Sequence, residues 1–152
     1  LKELFKNMQK IQKNGARKVR HPGGGCVFCS KGFWGFFDPE NNRAFFEFTF
    51  SEEHQGPPNH VHGGVIATFI DEVMSFATGN FFPCFLGKIE IWYRKPVPLF
   101  SRLQLEGEVV KVEGRKIFTR GFIKKDGEVL IEAHGIYIQP KERNDVSLEF
   151  IE

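Results

Sequence analysis

A chain of 152 residues is the length of one domain, and its 41% hydrophobic content, with Phe alone contributing 18 residues, is ample for a core. A net charge of +2 is too small to indicate nucleic-acid binding, and no apolar run is long enough to span a bilayer or has the pattern of a signal peptide. Three cysteines, an odd count beside a large core, argue for a reducing compartment rather than a disulfide framework.

In chain order, Leu4, Phe5, Met8 and Ile11 recur at helical spacing, which predicts a short amphipathic helix over 2–13 that ends at Asn14-Gly15. The basic run Lys2, Lys6, Lys10, Lys13, Arg17, Lys18 and Arg20, opposed only by Glu3, reads as a solvated helix and frayed terminus rather than a docking segment. His21-Pro-Gly-Gly-Gly25 is a loop. Residues 26–37 and 43–50 read as strands around a turn at Asp38-Pro39-Glu40-Asn41-Asn42, and 51–63 as a long loop. A buried helix follows from about Gly64 to Thr78, closed by Gly79-Asn80. Four strands complete the pattern. Residues 86–95 stop at Pro96-Val97-Pro98. Residues 102–113 carry an irregularity between Leu105 and Val110. Residues 116–125 and 128–139 are joined through the hairpin signal Lys125-Asp126-Gly127-Glu128. In the last strand Val129, Ile131, Ala133, Gly135 and Tyr137 share one face. An antiparallel sheet wrapped around one apolar helix satisfies every apolar face, so the expected class is α+β. The expected division is 1–23 as N-terminal helix and linker, 24–140 as the domain and 141–152 as a tail.

The chemistry concentrates in His54-Gln-Gly-Pro-Pro-Asn-His-Val-His62-Gly63-Gly64 and the helix it enters, which carries Asp71-Glu72. An acid on a buried helix costs free energy unless something pairs with it or uses it. Backbone N–H groups at the helix N-terminus gather partial positive charge, so loop and acid together hold the parts that polarise a carbonyl and activate water. Glu72 points about 100° away from Asp71 around the helix and is read as structural. Cys26-Val-Phe-Cys29 has zinc-ligand spacing, but one such pair is half a tetrahedral site and no second pair exists. The two cysteines therefore read as thiols packed among Phe residues. His60 and His62 share a face near His54, yet nothing in the pattern supplies further ligands, so no metal is expected.

His62-Gly63-Gly64 followed by Asp71, the lead-in Gln55-Gly56-Pro57-Pro58, and Tyr93-Arg94-Lys95-Pro96-Val97-Pro98-Leu99 resemble the hotdog-fold acyl-CoA thioesterases, in the PaaI-like branch that includes the thioesterase superfamily members. The resemblance covers roughly residues 24–139. It implies hydrolysis of acyl-CoA to free acid and coenzyme A, with Asp71 as base or nucleophile and the Gly63 and Gly64 backbone as oxyanion donor. His62 either bonds the substrate carbonyl or braces the loop, and the two glycines equally suit tight packing. The resemblance points to His54 and Gln55 as loop contacts to substrate. Arg94, Lys95, Arg115 and Lys116 would hold the coenzyme A phosphates, against ordinary strand-end charge as the plainer reading. Phe76, Phe81, Phe82 and Phe85 line an acyl tunnel or simply fill the core. Many relatives carry Ser or Thr at the position of Leu86, where a hydroxyl helps hold water. Thr68, Ser75 or Thr78 would have to substitute, and this departure keeps a non-catalytic acyl-CoA-binding or scaffolding protein as the alternative, with a dehydratase of the same fold last. No cofactor beyond the coenzyme A of the substrate is implied.

Gly63 and Asp71 lie eight residues apart, about 12 Å along a helix. That is too far to act on one carbonyl, so the expected working unit is a homodimer with sites shared across a two-fold axis, and the resemblance extends this to a homotetramer. The chain starts at Leu1 rather than Met, as a processed form would. The expected location is the cytoplasm, or an organellar matrix if a targeting segment was removed.

Overall fold

Alternating apolar and polar residues build the strands, and a continuous apolar run builds the helix between them. The computed structural model of the chain describes residues 15–31, 33–142 and 146–151. The elements are β1 (Arg17–Arg20), β2 (Gly35–Asp38), β3 (Arg43–Thr49), α1 (Gly63–Ala77), β4 (Phe85–Tyr93), β5 (Arg102–Glu113), β6 (Lys116–Lys125), β7 (Glu128–Ile138) and β8 (Glu149–Phe150). All eight strands join one antiparallel sheet in the order β4-β7-β6-β5-β3-β2-β1-β8, so β4 and β8 are its edges. The predicted helix over 2–13 lies outside the described residues. Among the described residues no helix is long and apolar enough to cross a membrane.

The sheet curls around α1 because small residues let it approach. Gly107 on β5 faces Gly121 on β6, which in turn faces Ala133 on β7. A Cβ at Gly107 would stand 2.5 Å from the Val73 carbonyl oxygen, and one at Gly121 would stand 2.8 Å from Met74 Cγ. The helix therefore rests on sheet backbone. Ile70, Val73, Met74, Phe76 and Ala77 are fully buried on that side, and each large side chain contributes about 1.5–3 kcal/mol by leaving water. Truncating Ile70 to Ala would cost about 2–5 kcal/mol, because neighbours held by backbone contact cannot collapse into the gap. The β6–β7 turn has positive φ at both Asp126 and Gly127, the geometry of a two-residue hairpin loop. The irregularity expected in β5 is a register shift between Val109 and Lys111.

Two stretches differ from expectation. The described residues of 26–34 are not strand. Cys26 to Lys31 wind into a tight turn, with the Ser30 N–H on the Cys26 carbonyl at 2.9 Å, and only Gly35–Asp38 pairs in the sheet. Phe28 and Phe33 reach the core side from that loop, packing edge-on at 4.2 Å between ring centroids, so burial there needs no strand alternation. The basic stretch expected to fray instead supplies β1, which pairs with β2 and β8. Val19 is buried, while Arg17 and Lys18 lie over the rings of Phe150 and Trp34. The sheet thus takes in residues on both sides of the 24–140 span.

Candidate active site

Asp71 sits on the flank of α1 that faces β7. The Tyr137 hydroxyl donates to its carboxylate Oδ1 at 2.5 Å and lies 2.9 Å from its carbonyl oxygen. Burial pushes the Asp71 carboxyl above the usual carboxylate range; the Tyr137 hydroxyl works against that, and neighbouring Glu72 adds to it. Burial and the Asp71 charge hold the Tyr137 phenol well above its ordinary value, so it keeps its proton and remains a donor. A carboxylate with a raised pKa, oriented by one hydrogen bond and retaining a second oxygen, has the properties of a general base. Tyr137 was legible from sequence only as one of the residues that share a face of the last strand.

The loop before α1 is tightly braced. The His62 N–H donates to the His54 carbonyl at 2.8 Å, and the Val61 N–H to the Val97 carbonyl at 2.9 Å. A Cβ on Gly56 would lie 2.7 Å from His62 Cα, so only glycine fits there. His62 caps the helix: its Nδ1 accepts the Gly64 N–H at 2.9 Å. That bond occupies the Gly64 donor and leaves Gly63, at the first helical position, to offer an N–H without an intrahelical partner. The Tyr93 hydroxyl holds Gly63 from its other side, donating to its carbonyl at 2.8 Å.

The remaining predicted contacts divide. Gln55 is turned back on its own loop, its Oε1 accepting the Asn59 N–H at 3.1 Å. His54 Nδ1 accepts the Ser51 N–H at 3.0 Å, and its ring lies edge-on to Phe50. His54 and Thr68 line a cleft of about 620 Å³ with Val27, Phe28, Phe48 and Phe69. Of the Phe residues expected to line a tunnel, Phe76 is fully buried core and Phe85 is 66% exposed. The cleft uses Phe28, Phe33, Phe48 and Phe69 instead. The Thr68 and Thr78 hydroxyls donate to the Gly64 and Ser75 carbonyls, and the Ser75 hydroxyl is paired with His21 Nε2 at 3.0 Å. The hydroxyl beside Asp71 is that of Tyr137, cross-strand from Leu86.

The four predicted phosphate contacts do not gather within one subunit. Arg94 and Lys95 follow the Tyr93 end of β4, each paired with a carboxylate, Glu132 at 2.8 Å and Glu128 at 2.6 Å. Lys116 pairs across β7 Ile138 from Phe85, at the opposite end of β4, and neighbouring Arg115 donates to the Gln139 carbonyl at 3.0 Å. Nine strand residues separate the two ends, about 27 Å. The first pair shares its end of the sheet with Gly63, and the second with Asp71.

On the other flank of α1, Glu72 Oε1 lies 3.0 Å from His21 Nδ1, beside Cys26 and Cys29. Burial alone would lower the His21 pKa; Cys29 and Glu72 reverse this and push it up to about 10, so this corner attracts positive charge. Reading Cys26 and Cys29 as two packed thiols was therefore incomplete. Glu72 has a specific set of partners, which its sequence neighbourhood did not reveal.

One helix held inside a curled antiparallel sheet, with a loop rich in Gly, Pro and His at its N-terminus and an acid two turns on, defines a hotdog domain. Residues 58–132 match the family model of the thioesterase superfamily, and the chain belongs to that superfamily. It is 31% identical over 106 residues to mouse acyl-coenzyme A thioesterase THEM4, covering 68% of this chain and 46% of that protein. The Xenopus laevis protein of the same name is 28% identical over 128 residues, covering 81% and 54%. The crystal structure of a thioesterase superfamily protein superposes with a TM-score of 0.65 at 32% identity, covering 70% of this chain and 53% of that one. Mouse thioesterase superfamily member 2 shares the fold, with a TM-score of 0.59 at 17% identity over 63% of this chain and 74% of its own. The chain spans about half the length of the curated relatives it matches.

Proposed function

We propose that this domain hydrolyses acyl-CoA thioesters to free carboxylic acid and coenzyme A. The observation that carries the reading is Asp71, a carboxylate with a raised pKa held by Tyr137 on a buried helix. As base, its free oxygen takes a proton from water, and the water oxygen attacks the thioester carbonyl. As nucleophile it forms an acyl-carboxylate anhydride that water then opens. Either way the carbonyl oxygen becomes an oxyanion, the carbon–sulfur bond breaks, and the thiolate leaves to be protonated. The acyl chain fits the Phe-lined cleft beside Thr68 and His54.

The oxyanion donor comes from a second copy of the chain. Strand β4 is an open sheet edge that carries Phe85, Leu86, Trp92 and Tyr93, exposed at 66, 41, 38 and 50%. Antiparallel pairing of two such edges about a two-fold axis lays the Tyr93 end of one chain beside the Leu86 end of the other. Gly63, Arg94 and Lys95 of one copy then approach Asp71, Arg115 and Lys116 of its partner, which joins the two half-sets of residues that one subunit keeps apart.

A non-catalytic acyl-CoA-binding role is the second reading. Leu86 carries no hydroxyl, and the nearby hydroxyls are already engaged. Free-thiol release from a panel of acyl-CoAs, comparing the native chain with Asp71→Asn, separates the two. Turnover lost in the variant supports hydrolysis through Asp71. Tight binding with no turnover in the native chain supports the second reading, and near-normal turnover by the variant removes Asp71 from the mechanism.

A further inference from the structure

His21, Cys26, Cys29 and Glu72 each offer one metal-ligating atom, and the four atoms all lie within 4.8 Å of one another. His21 Nδ1 is 3.6 Å from each cysteine sulfur and 3.0 Å from Glu72 Oε1, and Cys29 Sγ is 3.6 Å from that same oxygen. These separations are close to the edges of a coordination tetrahedron. Zinc bonds of about 2.3 Å to sulfur and about 2.0 Å to nitrogen or oxygen give edges of about 3.5 Å between sulfur and nitrogen or oxygen, and about 3.3 Å between nitrogen and oxygen.

Hydrogen bonding, with the Cys29 thiol donating to Glu72 Oε1 and His21 Nδ1 paired with the same oxygen, accounts for only part of the convergence. A ring nitrogen holds either one proton or one lone pair, yet three heavy atoms of acceptor or thiol character point at Nδ1. One proton there satisfies one of them; a cation at the centre satisfies all four.

The surroundings are those of a ligand set. The second nitrogen of His21, Nε2, lies 3.0 Å from Ser75 Oγ, and the ring stacks on Phe76 at 5.0 Å. With Nδ1 on a metal, Nε2 carries the proton and donates it to Ser75, the outer bond that fixes the tautomer and angle of a ligating imidazole. The His21 backbone N–H points at Cys29 Sγ at 3.4 Å, and the backbone N–H groups of Phe28 and Cys29 point at the Cys26 sulfur. A turn wound so that its amides face its sulfurs suits thiolates. Cys29 and Glu72 are buried, while His21 and Cys26 are half-buried, which leaves a way in for an ion.

We infer that His21, Cys26, Cys29 and Glu72 form a closed tetrahedral site for one Zn²⁺ ion, bound by two thiolates, imidazole Nδ1 and a carboxylate oxygen. Thiolate and imidazole together select zinc over the oxygen-seeking cations, and four protein ligands leave no position for substrate, so the ion is structural. It fastens the loop after β1 to α1. The two residues between the cysteines, Val27 and Phe28, are walls of the 620 Å³ cleft, and Phe28 packs on Phe69 of α1 at 4.5 Å between centroids. The ion therefore sets the position of that wall, whatever reaction the domain performs.

The test uses the whole chain, purified with its thiols reduced. Elemental analysis is expected to find about one zinc per chain. After the zinc is stripped with a chelator, Co²⁺ is expected to saturate at one ion per chain, with a thiolate-to-cobalt charge-transfer band and intense visible bands of tetrahedral cobalt, both abolished by added Zn²⁺. Cys29→Ala and His21→Ala should remove both bands while Cys84→Ala keeps them, and Ser75→Ala should weaken Zn²⁺ binding on the order of tenfold to a hundredfold. A reduced, folded chain that takes up neither ion at micromolar concentration, or that gives the weak bands of six-coordinate cobalt, overturns the site. So does a Cys26–Cys29 disulfide whose reduction restores no metal uptake. Because the native chain's cobalt spectrum decides by itself, a variant that fails to fold does not rescue the proposal.

Discussion

Asp71 and Glu72 are neighbours in the chain and belong to different worlds in the structure. Asp71 meets a phenol on β7 next to an open sheet edge; Glu72 meets an imidazole and two thiols on a loop that precedes the core. The 100° step of the helix sends one acid toward the proposed chemistry and the other toward a structural anchor. On the proposed reading, adjacent residues of the same charge have opposite duties, Asp71 accepting a proton and Glu72 fixed in place by its partners.

The sharpest way to break this contrast is to remove each charge at constant shape. Asp71→Asn is expected to lower kcat on the order of a hundredfold or more with an unchanged circular dichroism spectrum. Glu72→Gln should leave kcat within about threefold but lower Tm and bound zinc, because its loss touches the anchor and not the carbonyl. Equal kinetic losses in the two would collapse the distinction. Next in size is complementation. Gly63→Val, whose added Cβ meets only the Tyr93 ring at 3.7 Å, and Asp71→Asn should each be inactive alone. Mixed under subunit exchange they should regain roughly a quarter of native activity, since about half the dimers then hold one intact site of two. Exchange without recovery would place each site within one chain. Tyr137→Phe should cost on the order of tenfold in kcat with KM little changed, the equivalent of one hydrogen bond of about 1.4 kcal/mol lost from the carboxylate. A pure KM effect would assign Tyr137 to binding. The smallest effect expected is a gain: Leu86→Thr should raise kcat a few-fold, on the order of 0.5–1 kcal/mol, by adding a hydroxyl cross-strand from Tyr137. A flat response would show that water is already held.

What was legible in the sequence follows from how local its cause is. The helix and the long strands β4 to β7 were readable because period and turn chemistry lie within each segment, as at Asp126-Gly127. Asp71 stood out as a candidate because an acid in an apolar helix is anomalous by itself. β1 and β8 were not, since four and two residues are too few to show a period. Residues 26–34 were misread because a run of Phe and Cys has strand composition, whatever its backbone does. The Cys26–Cys29 pair was visible but looked like half a site: Glu72 stands 43 residues beyond Cys29, and only tertiary structure brings it and His21 to the sulfurs. Alternation grouped Tyr137 with Ile131, Ala133 and Gly135 on one face, but nothing local distinguished a core phenol from one holding a carboxylate.

The contact of α1 with sheet backbone at Gly107 and Gly121 has a practical meaning for anyone wishing to enlarge the cleft. In most cores a helix can be shifted by trimming the side chains beneath it. Here there is no such layer under Val73 and Met74, so the helix has nowhere to sink. If the cleft takes the acyl chain as proposed, room for a longer or bulkier one has to be carved from the opposite wall, at Phe28, Phe33 or Phe48, where rings rather than backbone bound the space.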